Sequence, residues 1–286
     1  MIRLLAIFLK KIRVLKYFNL IAKVNINGFF FKTPLFGELG IGNLSISELW
    51  MSKILEKLVV INKGTFIDVG VNTGQTLLKI KSIKSDIKYI GFEPNPSCVF
   101  YVQQLVRINK IENTTLYPVG VADVTKLLEL NFFSSASTDS SASIIADFRP
   151  GSKIDRKEIV PCFSFRDIEQ SDFGSIGIIK IDVEGAELEV IQGFVERLVK
   201  DKPFILIEIL PVYDVSNKER MERQEALEKI MRSVNYKLFR IHKKNEKEIE
   251  ELELVEVIGI HSNMEWCDYI LCHETMFPVV NAIVFE

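Results

Sequence analysis

The sequence is poor in the features that announce the commonest chemistries. Its four cysteines, Cys98, Cys162, Cys267 and Cys272, form no CxxC pair and have no histidine at metal-ligand spacing. A zinc site and a disulfide framework are therefore not expected, and free thiols in a reducing compartment fit better. Net charge is −2 over 286 residues, so no overall basic field points to nucleic acid. In the first 24 residues the longest apolar run, Leu4 to Leu9, is far too short to span a bilayer. No small-residue cleavage site follows it, so a secretory signal is not expected. Internal repeats and inter-domain linkers are also missing. What remains, 48% apolar and 26% charged, is the composition of a soluble globular chain with one large core.

The chain opens on a basic segment. Met1 to Val24 interleaves Ile, Leu and Phe with Arg3, Lys10, Lys11, Arg13, Lys16 and Lys23 and reads as an amphipathic helix. Such a helix either rests on anionic membrane or packs on the domain or on the second copy of a homodimer. Packing is the preferred expectation. Residues 25–62 read as an irregular lead-in, punctuated by Asn27-Gly28 and Pro34, with a helix within Ser45 to Leu58. The expected division is a basic helical segment with its lead-in helix over 1–62 and the main domain over 63–286.

From Thr65 onward, strands and helices alternate. Strands are expected at Thr65 to Val69, Lys88 to Phe92, Thr114 to Val119, Ile176 to Ile181 and Phe204 to Leu210. Helices are expected at about Thr76 to Lys84, Ser97 to Asn109, Glu187 to Lys200 and Asn217 to Val234. This alternation predicts an α/β fold: a doubly wound, mostly parallel sheet with helices on both faces. An insertion at about 126–163 interrupts it, with strands at Leu127 to Phe133 and Glu158 to Phe163 flanking a Ser-rich excursion, Ser134 to Pro150. The last strands come from Tyr236 to Ile241, and from Leu254 to Ile260 or Tyr269 to Cys272. The charge run Lys243 to Glu253 reads as a solvated turn or frayed helix.

The first strand runs into Asp68-Val69-Gly70-Val71-Asn72-Thr73-Gly74, the strand, turn and helix start of a nucleotide-binding βα unit. Two absences narrow its ligand. There is no GxxxxGK[ST] lysine to hold phosphates, and Asn72 and Gln75 stand where a dinucleotide fingerprint needs glycine. Asp68 adds a carboxylate that would repel pyrophosphate and suits an ammonium or sulfonium. Glu93, at the tip of the second strand, is placed to accept hydrogen bonds from ribose hydroxyls. A ribose with a cationic end describes S-adenosyl-L-methionine.

Phe66 to Gly74, Phe92-Glu93-Pro94-Asn95-Pro96 and Lys180-Ile181-Asp182-Val183-Glu184-Gly185-Ala186-Glu187 resemble, in this order, the signatures of FkbM-type S-adenosylmethionine-dependent methyltransferases. Phe163-Ser164-Phe165-Arg166-Asp167-Ile168 is similar to the SLDD-L segment of that family. The resemblance covers about Lys63 to Tyr213 and the terminal Asp268-Tyr269-Ile270-Leu271, and departs at Val71 and Arg166. It implies a class I, Rossmann-like methyltransferase with a seven-stranded sheet that methylates a hydroxyl, often on a sugar or polyketide. It further implies that Asp68, Gly70, Asn72 and Gly74 line the methionine moiety and Glu93 the ribose. Asn95 and Val121, Ala122 and Asp123 would lie near the adenine, and Val69, Thr73, Thr76 and Pro94 complete the cofactor set. Asp182 would close the site beside the methyl group.

A hydroxyl needs a base. Asp182, Glu184 and Glu208 stand at carboxyl ends of central strands, where open α/β sheets bind ligands. Asp182 or Glu184 is favoured, the other reading of Glu184 being an acid that satisfies a helix dipole. His261 is the runner-up. No spacing calls for a metal, although clustered carboxylates can hold Mg²⁺. The expected enzyme is cytoplasmic, with a small-molecule, glycan or glycolipid acceptor and a peripheral membrane contact through residues 1–24. The alternative is a non-catalytic nucleoside-binding or scaffold protein of the same fold. A dehydrogenase is disfavoured by the loop.

Overall fold

A computed structural model describes residues 2–12, 14–37, 39–45, 47–145, 151–168 and 173–284. Arg13 and residues 146–150 of the predicted excursion lie outside the described residues.

Helix α1 (Ile2–Lys11) is followed by strands β1 (Asn19–Ile26) and β2 (Phe29–Phe36), which pair antiparallel. The predicted helix thus ends early, and the irregular lead-in is a hairpin. Its turn is Asn27-Gly28, both residues at positive φ (49° and 85°), the two-residue turn whose twist matches paired strands. The strand signal is the alternation of buried Ala22, Val24 and Ile26 with exposed Ile21, Lys23 and Asn25, a period of two rather than 3.6. Helix α2 (Leu49–Ile61) then buries Trp50, Ile54, Leu55 and Leu58.

The alternating unit follows as β3 (Thr65–Val69), α3 (Gln75–Ile83), β4 (Tyr89–Phe92), α4 (Pro96–Asn109) and β5 (Thr114–Tyr117). The excursion is a separate three-stranded sheet of β6 (Gly120–Ala122), β7 (Lys126–Phe132) and β8 (Arg156–Ser164), in the order β6-β8-β7. The short helix α5 (Phe165–Ile168) leads to β9 (Ile176–Ile181), α6 (Glu187–Asp201), β10 (Phe204–Glu208) and α7 (Lys218–Ser233). The chain closes with β11 (Tyr236–Asn245), β12 (Glu248–Val255), β13 (Asp268–His273) and α8 (Phe277–Val284).

The main sheet runs β12-β11-β13-β10-β9-β3-β4-β5. Strands β5, β4, β3, β9 and β10 are parallel, and β13 enters antiparallel between β10 and β11. This is the doubly wound, mostly parallel sheet expected from the alternation, with one strand beyond the seven that the resemblance implies. The extra strand is β12, built from the charge run expected to be a turn. Its Ile249 and Leu252 pack on the core while its glutamates face out. Register shifts at His242/Lys243 and Lys243/Asn245 blur the alternation, and charge on an edge strand blocks further pairing.

Alternate residues of the central strands feed two cores. Phe66, Ile178, Phe204 and Leu206 pack with α2, α3 and the hairpin's Ala22, Val24 and Leu35. Ile67, Val69, Ile179, Ile181, Ile205 and Ile207 pack with Val190 and Phe194 of α6 and Leu227 and Met231 of α7. All four cysteines are buried free thiols.

Candidate active site

The chain leaves β3 toward β4 on one side of the sheet and β9 toward β10 on the other. Where connections part in this way, a crevice opens at the carboxyl ends of the strands. A cavity of about 380 Å³ lies there, walled by the turn after β3, the tip of β4, the excursion, and the ends of β9 and β10.

The turn after β3 is set by the meeting of two strand tips. Gly70 has φ 89°, and a Cβ there would stand 1.8 Å from the carbonyl oxygen of Asp182. Glycine is required for that approach. Gly74 serves the helix instead. At φ 79° it begins α3, and a Cβ there would press on Leu105 and Val102 of α4.

Glu93 ties two loops together. Its Oε2 accepts the Asn72 N–H at 2.7 Å and its Oε1 the Asn95 N–H at 2.8 Å. Burial pushes its pKa up to about 7, against the pull of those two bonds. Each oxygen keeps a lone pair for a further donor. Asn95 caps α4 by accepting the Ser97 N–H at 2.9 Å, and its amide donates to the Ser137 carbonyl of the excursion at 3.0 Å.

Beneath this floor Asp68 is fully buried and does not reach the cavity. It accepts the Tyr89 hydroxyl at 2.5 Å and faces the Lys180 ammonium at 3.5 Å. Burial raises its pKa, with Lys180 and Tyr89 opposing. Lys180 is the hub: it also donates to the Gly70 carbonyl at 3.0 Å and to Asp182 Oδ2 at 3.1 Å. Burial alone would lower its pKa, but Asp182 and Asp68 outweigh it and keep the ammonium charged.

Asp182, Glu184 and Glu208 all line the opposite wall. Glu184 holds a left-handed backbone (φ 52°), and its carbonyl accepts the Ser143 hydroxyl of the excursion at 2.6 Å. Glu208 lies beside Asp268 in the sheet register, and its carboxyl makes no hydrogen bond or ion pair to another described residue. Burial, then the charges of Asp182 and Asp268, raise its pKa to about 9. His261 lies outside the cavity beside Trp266.

The methyltransferase FkbM domain matches residues 68–238 of this chain. The chain belongs to the FkbM methyltransferase family. Solved structures with a similar fold include an FkbM methyltransferase from Methylobacillus flagellatus, 15% identical, with a TM-score of 0.45, covering 73% of this chain and 43% of that one. A putative O-methyltransferase from Klebsiella pneumoniae is 9% identical, with a TM-score of 0.45, covering 78% of this chain and 79% of that one. M. jannaschii TYW2 in complex with AdoMet is 13% identical, with a TM-score of 0.41, covering 88% of this chain and 84% of that one. This chain therefore spans less than half the length of the Methylobacillus protein. No curated protein matches it.

S-adenosyl-L-methionine is the cofactor of the family, and the donor set of this methyltransferase fits it. Among the described residues the cavity is lined by six acids, Glu48, Glu93, Asp139, Asp182, Glu184 and Glu208, and by Lys180 as the sole base. That field favours a cation and hydroxyl groups over phosphates. No group of three or more His, Cys, Asp or Glu among the described residues is arranged to hold a metal ion.

Of the predicted cofactor residues, Val69, Gly70, Asn72, Thr73, Thr76, Glu93, Pro94, Asn95, Val121 and Asp182 come together on the wall. Asp68, Gly74, Ala122 and Asp123 do not: the first three are buried behind it and Asp123 faces solvent. Sequence reasoning passed over Lys180 as a site residue, although a lone cation in the apolar strand Ile176–Ile181 is a visible signal. It also missed Ser47 and Glu48, and Asp139 and Ser140 of the excursion. Glu48 holds a left-handed φ of 53° at the start of α2, which no local pattern announces.

Proposed function

We propose that this FkbM methyltransferase methylates a hydroxyl oxygen, on a sugar of a glycan or glycolipid precursor or on a small natural product, in the cytoplasm. S-adenosyl-L-methionine, when bound, supplies an electrophilic methyl group on a sulfonium. The chain itself must hold the acceptor oxygen in line, which contributes up to about 7–11 kcal/mol in favourable cases, and take its proton, typically worth roughly 10²–10⁴-fold.

The observation that carries this reading is the uncommitted carboxyl of Glu208 at the cavity wall. Asp182, one of the two bases favoured from sequence, is held by Lys180 at 3.1 Å, and Glu184 has partners of its own. The Glu208 carboxyl has none among the described residues; burial and neighbouring acids hold its proton on, and a cation bound beside it would favour the ionised form that can accept one. Carboxylates also accept hydrogen bonds from sugar hydroxyls. The buried free thiols support a reducing compartment.

Radiolabelled cofactor incubated with fractionated cell glycans, lipids and small metabolites tests the acceptor class. Label recovered only on nitrogen or carbon would overturn the hydroxyl assignment. Glu208→Gln is expected to lower kcat roughly 10²–10⁴-fold while leaving S-adenosylhomocysteine affinity within a factor of about two. An unchanged kcat would remove Glu208 as the base.

A further inference from the structure

We propose that α1 and the β1–β2 hairpin form a docking surface for an anionic membrane. The inference does not depend on the reaction assigned above.

Charge is segregated along the chain. Residues 1–37 hold seven cations (Arg3, Lys10, Lys11, Arg13, Lys16, Lys23 and Lys32) and no acid, which leaves 29 cations against 38 acids in residues 38–286. The start is therefore +7 and the remainder −9. A protein so divided approaches a negative surface by one end.

The same segment carries apolar side chains that folding leaves uncovered. Leu4 and Phe8 of α1 and Ile12 just beyond it recur at intervals of four, are 73%, 56% and 48% exposed, and form one ridge with Leu5 beside it. The other side of the helix is seated on the core through Ala6 and Leu9, so burial inside this chain does not account for the ridge. The packing expected for this helix holds for one face only. Tyr17, Phe18, Ile21, Phe29 and Phe30 are also exposed.

On the hairpin's outer face Lys23 stands directly across from Lys32, and Asn25 across from Phe30. Like charges directly opposed destabilise a free hairpin, and an anionic partner turns that cost into attraction. Neither lysine has an ion-pair partner among the described residues. Apolar side chains beside unpaired lysines are the composition of an interfacial membrane contact. No helix among the described residues is long and apolar enough to cross a membrane. A second copy of this chain fits the surface poorly, because a symmetric contact would set its cations against themselves. The surface also adjoins the active site along the chain. The loop after β2 runs to Ser47 and Glu48 in the cavity wall, pinned there by Asn43 Nδ2 donating to the Thr73 carbonyl at 2.6 Å.

Sedimentation of the full chain with vesicles tests the proposal. Binding is expected to vesicles of phosphatidylcholine with about one-third phosphatidylglycerol, to weaken with salt, and to be absent with phosphatidylcholine alone. Lys23→Glu removes one positive charge and adds one negative. At about fivefold per charge near the surface, vesicle affinity should fall more than about tenfold, while thermal stability holds or rises because the introduced carboxylate then faces Lys32. The double variant Leu4→Asp/Phe8→Asp should abolish sedimentation. Unchanged S-adenosylhomocysteine affinity in all variants shows that the fold is intact. Failure of the full chain to sediment with anionic vesicles overturns the proposal, as does equal, salt-independent binding to phosphatidylcholine. A concentration-dependent dimer in analytical ultracentrifugation that Leu4→Asp/Phe8→Asp dissolves would assign the surface to a second copy and overturn it equally.

Discussion

On one side of the cavity, Glu93 accepts two backbone N–H groups and Asp68 takes a tyrosine hydroxyl and a lysine ammonium. Across from them the Glu208 carboxyl has no partner among the described residues, and burial with neighbouring acids holds its proton on. Hydrogen bonds to a buried carboxylate fix its position and favour its charge, whereas a bare one is left ready to exchange a proton. The chain thus ties one side of the cavity into a finished network and leaves an unpaired carboxyl on the other.

Four experiments would break or sharpen that contrast. The largest effect is expected from Lys180→Met, which leaves Asp68 buried without its cation. Removing one member of such a pair costs about 3–5 kcal/mol, seen as a lower urea midpoint, and adding Asp68→Asn should return part of it. Next, Glu93→Gln should weaken S-adenosylhomocysteine binding about 10–100-fold in calorimetry, the worth of hydrogen bonds to a charged group. Because Glu93 titrates at about 7, affinity should rise with pH through neutrality in the natural protein and stay flat in the variant.

Glu208 should instead reveal itself in stability. Its folded pKa is about 9 against 4.5 for an ordinary glutamate, so between those values the folded state binds the extra proton. Its contribution is fully present below pH 4.5 and is lost as pH climbs toward 9. Urea midpoints across that window should fall in the natural protein and fall less in Glu208→Gln. The smallest effect belongs to Tyr89→Phe, which removes one hydrogen bond to Asp68 and keeps the stack on Phe66. About 1–2 kcal/mol of stability should go, with little change in cofactor affinity.

The Glu93 and Asp68 side of the cavity was also the more legible in sequence. Its residues sit on short loops after buried strands, and the apolar runs at Thr65, Lys88 and Ile176 place those loops by chain order alone. Asp68 shows the limit of that reading: position at a strand's end was visible, but the side to which it points was not. The rest of the wall draws on distant segments, Glu48 before α2 and Asp139 in the excursion, which only tertiary packing brings together. Two elements were misread for local reasons. The Asn27-Gly28 turn signal lay between residues also spaced for a helix, and β12 is so rich in glutamate that its inward Ile249 and Leu252 were masked.

The burial of every cysteine has a practical corollary. A thiol reacts as its thiolate, and here burial pushes Cys162 up to about 11 and Cys267 and Cys272 to about 12, with Cys98 raised further. The native chain is therefore close to silent toward maleimide dyes at neutral pH. A single cysteine introduced at exposed Ser135 or Leu4 would carry one fluorophore without any native thiol being removed. The excursion over the cavity and the basic end of the molecule can then be watched separately, in the same otherwise unaltered protein.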